Sequence, residues 1–236
     1  MRYTVVALLF VALLSAAAAI AAEPPDAVSA ALNAALLRNV GHAREWLDQK
    51  DFKSVAQSAG GLQLLADLLK ARSDDPAWQA AAATVIAAAS AVQSAAKDED
   101  AAKTKAALDS LEKASSAAAS LVPKGKPQPL QRAPAIRSLM LTLDALQGDA
   151  KVAVLTGNVE AARKQAFVLA ELGKLVSNSK NTNQSNTAQW TSLAGEFVRA
   201  ATVATTCPEN DSKAMRQHFR AIAESCEACH EKNRTR

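Results

Sequence analysis

The sequence predicts an all-α protein, and three observations carry that expectation. Ala and Leu supply most of a hydrophobic content of 49%, whereas aromatic residues make up only 4%, which is a helix-forming balance. Gly and Pro number eight each, and four of the Pro fall within residues 123–134, which leaves little punctuation for a many-stranded β-fold. Beyond residue 25, apolar positions recur near the 3.6-residue period of an amphipathic helix. A chain of 236 residues is long enough to bury two cores.

The helices follow in order. Residues 26–49 carry an apolar stripe at Val28, Leu32, Leu36, Val40 and Trp46. Asp51 opens a second helix through Val55, Leu62, Leu65 and Leu69, which the Ser73-Asp74-Asp75-Pro76 run breaks. Pro76 suits the first turn of a third helix through Trp78, Val85, Ile86 and Val92. Residues 97–100 turn the chain into a fourth helix, through Leu108 and Leu111 to Leu121. The Pro-rich stretch at 123–134 cannot continue a helix and reads as a semi-rigid linker. Four more helices are expected over 136–156, 158–176, 190–205 and 212–233, with a polar loop at 177–187. The predicted architecture is two tandem antiparallel four-helix bundles, over 23–122 and 135–236.

The first 22 residues read as an export signal. Arg2 supplies the positive end, residues 5–14 are uninterruptedly apolar, and small residues run to Ala22 before Glu23-Pro24-Pro25, so cleavage after Ala21 or Ala22 and a periplasmic destination are expected. The alternative is an uncleaved membrane anchor, because residues 5–22 carry no charge and are just long enough to span. The net charge of +4 comes without any basic run interleaved with aromatics, so no nucleic-acid partner is expected.

The halves align on each other. An offset of 107 sets Asp51-Phe52-Lys53 on Asn158-Val159-Glu160 and Leu62 on Leu169, and an offset of 112 sets Trp78 on Trp190. At the later offset Cys226, Cys229 and His230 fall on Ala114, Ala117 and Ala118.

Those three residues belong to the run CEACH, the most specific motif in the chain. C-x-x-C-H is the attachment signature of a c-type haem: two thiols three positions apart each bond a vinyl-derived carbon, and the next imidazole takes the iron. On a helix the spacing puts Cys226, Cys229 and His230 on one face. A redox dithiol would want a βα context, and a zinc site four ligands, where only Cys226, Cys229, His230 and the distant His218 offer themselves. His42 and His218 are lone imidazoles, Met215 suits packing, and Cys207 is an odd thiol, free or paired between molecules.

With CEACHEKNR at its close, Arg137 early in its first helix, Thr156-Gly157 at that helix's end and Trp190 opening its third, the span 133–236 resembles the cytochrome c′ family and its low-spin relatives. The first half looks like a haem-less duplicate. The resemblance implies one covalent haem c on Cys226 and Cys229, His230 as proximal iron ligand, and Arg234 near the haem. It puts the distal side on the first helix of the second bundle, at Leu141 with Arg137 one turn before. The neighbouring Met140 is a candidate sixth ligand. Met140 on the iron implies single-electron transfer with redox partner proteins. An open apolar site at Leu141 implies a haem protein that binds a small gas such as nitric oxide or carbon monoxide, and a helical protein-interaction module is the alternative without haem. No substrate chemistry, and so no enzyme, is expected. The first half could stand in for the second subunit of a dimer, making an internal pseudo-dimer, or the chain could form a homodimer.

Overall fold

A computed structural model describes residues 25–130, 134–179 and 187–233. The signal-peptide expectation, residues 131–133 of the linker and Arg234 lie outside the described residues. Among the described residues the protein is all-α, with eight helices and no strand: α1 (Pro25–Asp48), α2 (Phe52–Lys70), α3 (Pro76–Lys97), α4 (Ala101–Ala119), α5 (Ile136–Leu155), α6 (Val159–Asn178), α7 (Thr187–Thr205) and α8 (Ser212–Asn233). The fourth helix stops at Ala119, short of the expected Leu121, and Leu121 and Val122 are exposed.

Short polar side chains set the helix starts by taking up backbone N–H groups that no helical carbonyl reaches. Asp51 accepts from Ser54 N at 3.0 Å, Asp75 from Ala77 N at 2.8 Å, Asp100 from Lys103 N at 2.9 Å, Asn158 from Ala161 N at 3.0 Å and Asp211 from Ala214 N at 2.8 Å. The linker is held rather than loose. Gln128 N donates to Ala71 O at 2.8 Å, Lys126 N donates to the Asp74 carboxylate at 2.9 Å, and the Ser73 hydroxyl donates to Lys124 O, so residues 124–128 lie over the α2–α3 turn.

In the first half α1 packs on α2 and α4, and α3 on α2 and α4; in the second α5 packs on α6 and α8, and α7 on α6 and α8. The halves meet where α1 lies on α6 and α2 on α5, and one apolar cluster runs through both, from Leu32, Leu62 and Leu108 to Leu139, Leu169 and Ile222.

Local details recur at fixed spacing. Lys50 and Gly157, 107 apart, both have positive φ, 58° and 72°, and the residues after them close the same turn: Asp51 N bonds Trp46 O, and Asn158 N bonds Ala153 O, each at 2.8 Å. The Trp78 indole donates to Leu69 O at 2.7 Å and the Trp190 indole to Val176 O at 3.0 Å, acceptors again 107 apart. For α4 and α8 the register is corrected by one residue. The capping Asp100 and Asp211 correspond at an offset of 111, as do the buried pairs Thr104 and Met215, and Leu111 and Ile222. At that offset Cys226 and Cys229 fall on Ser115 and Ala118, and His230 on Ala119, instead of on Ala114, Ala117 and Ala118. The loop before α8 is one residue shorter than an offset of 112 requires, and helical burial makes the shift visible.

Candidate functional site

The helix that carries CEACH is seated by its own apolar stripe. Met215 and Ile222, seven residues apart, are buried in the core. The same face continues four and seven residues beyond Ile222 into Cys226 and Cys229. Both thiols pack against the core cluster while half-exposed. With His230 and Ser225 they form one wall of a cavity of about 210 Å³.

Three helices complete the wall. From α5 come Ile136, Met140 and Leu143, at the i, i+4, i+7 spacing of a single face; α6 gives Val176; α7 gives Trp190, Leu193, Ala194 and Phe197. Two details fix the aromatic side. The Trp190 indole is tied to Val176 O at 3.0 Å. Gly173 makes room for Phe197, since a Cβ there would stand 2.7 Å from Phe197 Cδ1.

Cys226 is held from the facing helix. Gln147 Nε2 donates to its Sγ at 2.8 Å. Burial pushes the Cys226 thiol up to about 11, against the smaller opposing pull of the Gln147 hydrogen bond. A thiol so placed stays protonated near neutral pH, which is the reverse of the lowered value that a redox dithiol needs. No disulfide joins it to Cys229. Among the described residues no three His, Cys, Asp or Glu side chains converge to hold a bare metal ion, so the zinc alternative lacks its donors.

The structure brings four of the sequence-predicted residues to one cavity: Cys226, Cys229, His230 and Met140. Leu141 goes elsewhere. It is 42% exposed and lines a separate cleft with Trp46, Gly61 and Ala145, because one helical step turns the side chain by about 100° away from Met140. Arg137 is exposed and does not line the cavity. His218 is half-buried outside it. Met215 is core. His42 lies between the halves, 3.0 Å from Asp149. Cys207 is buried beside Asp211 O at 3.4 Å, and burial pushes its thiol up.

Gln147, Ile136 and Phe197 were not foreseen from the sequence. Each could have been: Gln147 lies seven residues after Met140, Ile136 four before it, and Phe197 seven after Trp190, all on the faces already marked by those residues.

No protein-family model, no curated protein and no solved structure matches the chain. The chemistry is therefore read from these side chains alone. Two thiols and an imidazole at haem-attachment spacing border an apolar cavity, with a thioether among the residues of the facing helix, and these residue types fit an iron porphyrin. At about 210 Å³ the cavity is smaller than the ~300–1,000 Å³ of clefts that engulf a ligand, so a macrocycle would fill it and extend beyond its mouth.

Proposed function

We infer that the chain is an exported c-type cytochrome carrying one covalent haem, and that it passes single electrons between partner proteins in the periplasm. In this reading the mature chain is two tandem four-helix bundles of the cytochrome c′ kind, the first a duplicate without haem chemistry. Residues 1–22 are its signal peptide. What supports the reading is that Cys226, Cys229 and His230 of one helix and Met140 of the facing helix line the same apolar cavity.

Cys226 and Cys229 would hold the group by thioether bonds, and the His230 imidazole and the Met140 thioether would be its iron donors. When bound, the haem supplies a one-electron iron couple. The remaining contributions come from the chain itself. Trp190, Phe197 and Leu143 exclude water from the inner side of the cavity, and a low dielectric there tunes the couple. The Gln147 amide, 2.8 Å from Cys226 Sγ, orients one attachment sulfur and draws charge from it. Met140 rather than Leu141 is taken as the distal residue in this reading, which is supported by Leu141 lining the other cleft.

The test is expression in a host competent in cytochrome maturation, followed by mass and spectrum. The expected product has the mass of the mature polypeptide plus one haem, and its reduced spectrum has low-spin bands that carbon monoxide leaves largely unchanged. A colourless protein with the mass of polypeptide alone would end this reading.

A further inference from the structure

We propose that the halves face each other across a local two-fold axis that passes between His42 and Asp149, and that this face is keyed so that α1 and α2, not a second copy of the chain, cover α5 and α6. The repeat, and not haem attachment, carries this.

His42 Nε2 lies 3.0 Å from Asp149 Oδ1, and the two residues are separated by 107 positions. That is the spacing that relates the α1–α2 turn to the α5–α6 turn, Lys50 to Gly157. Equivalent positions that touch while the helices around them cross, first on second and second on first, lie on a two-fold axis, where a residue meets its own image. The helix contacts agree: α1 on α6 and α2 on α5 are exchanged by the same shift.

The images differ in chemistry. On one side of the axis α2 offers glycines to hydroxyl side chains of α5: a Cβ on Gly60 would stand 3.5 Å from Ser138 Oγ, and one on Gly61 would stand 2.8 Å from Thr142 Oγ1. Their images are Phe167 and Val168 on α6 and Ala31 and Ala35 on α1, with Val168, Ala31 and Ala35 buried. The bulk is on α5 on one side and on α6 on the other. Were α5 and α6 to pair with their own copy, Phe167 and Val168 would meet Ser138 and Thr142, and Asp149 would meet Asp149. Were α1 and α2 to pair with their copy, Gly60 and Gly61 would meet Ala31 and Ala35 across a gap, and His42 would meet His42. Only the mixed pairing fills the space and opposes an imidazole to a carboxylate, with Arg38 3.6 Å from Asp149 and Glu45 3.5 Å from His42. Such one-sided complementarity is how an interface selects against itself.

The experiment uses the full chain and reads thermal unfolding and sedimentation, neither of which depends on the haem reading. His42→Asp and Asp149→His alone should each lower the unfolding midpoint by about 2–6 °C, and the exchanged H42D/D149H should recover to within about 2 °C of the original. Because an ordinary ion pair would also survive that exchange, the size key decides. Gly61→Val should lower the midpoint, and Gly61→Val/Thr142→Ala, which copies the Val168 and Ala35 pair onto the opposite side, should regain at least half of the loss. The unmodified chain should sediment as a monomer. A G61V/T142A chain less stable than G61V, an exchange as damaging as the two single changes summed, or an unmodified dimer that H42D dissociates would each overturn the proposal.

Discussion

The helices α1–α4 and α5–α8 follow one plan, yet at matching positions the first set is packed shut where the second keeps a cavity. Ser29, Asn33, Leu36, Leu69, Trp78, Val85, Ser115 and Ala118 are all buried. Their counterparts Ile136, Met140, Leu143, Val176, Trp190, Phe197, Cys226 and Cys229 line the cavity, and four of them, Ile136, Met140, Cys226 and Cys229, are half-exposed. Those four stand where the first half has Ser29, Asn33, Ser115 and Ala118, smaller side chains on α1 and α4. With little between them α1 and α4 pack along more of their length than α5 and α8 do. A cavity of this kind needs no new fold. Larger residues at a few positions of two helices keep them apart, and close packing elsewhere holds the rest in place.

On the proposed haem reading, the largest effect should come from Cys226 and Cys229. Cys226→Ser/Cys229→Ser removes both sulfurs that would bond the haem and should leave the protein with the mass of polypeptide alone, with its helical circular dichroism retained because Met215 and Ile222 still seat α8. Retention of covalent haem in that variant would break the comparison at its root.

Next in size, on the same reading, is Met140. Met140→Asn installs the residue that the first half has at this position, and it should convert a low-spin reduced spectrum into one that shifts on adding carbon monoxide. Leu141→Ala, in the other cleft, should leave the spectrum unchanged. The opposite pattern would return the distal role to Leu141.

The two tryptophans sharpen the same contrast through stability. Trp78 is 2% exposed, is surrounded on all sides and donates to Leu69 O, so Trp78→Ala should cost about 3–5 kcal/mol. Trp190 makes the matching bond but borders the cavity. In the haem-free chain Trp190→Ala should cost about 1–3 kcal/mol, because dispersion contacts are already missing on one side. Urea unfolding of the two variants checks the order, and equal losses would mean that the cavity is collapsed in solution.

Much of this could be read before any coordinates. Helical periodicity, Asp and Asn caps and the Pro-rich break marked all eight helices, because each is a local signal. CEACH marked its own face of α8, since i, i+3 and i+4 positions are set by helix geometry alone. Long-range register was less accessible. Ala-rich helices align nearly as well one residue out, so it took the matching caps Asp100 and Asp211 and the burial of Thr104 with Met215 and of Leu111 with Ile222 to put Cys226 over Ser115. Whether Met140 or Leu141 faces the cavity turns on helix rotation, about 100° per residue, which packing against α2, α6 and α8 decides. The His42–Asp149 contact was invisible as a contact, although its spacing of 107 was already present in the alignment of the halves.

The smallest expected effect lies in the turn that both halves share. Gly157 takes φ of 72° at the end of α5, and Lys50 takes 58° at the end of α1. Each donates its N–H back to the helix, Gly157 to Val154 O at 3.2 Å and Lys50 to Leu47 O at 2.9 Å, the arrangement in which glycine usually ends a helix. A side chain at positive φ costs about 1–2 kcal/mol, partly offset by the greater freedom that glycine has in the unfolded chain. Lys50→Gly should therefore raise stability by about 0.5–1 kcal/mol, and Gly157→Lys should lower it by about the same amount, measured by urea unfolding of the haem-free chain. Equal and opposite changes would show that the two turns are one device used twice. A loss of stability in Lys50→Gly would instead mean that the Lys50 side chain contributes more at the surface than its backbone strain costs.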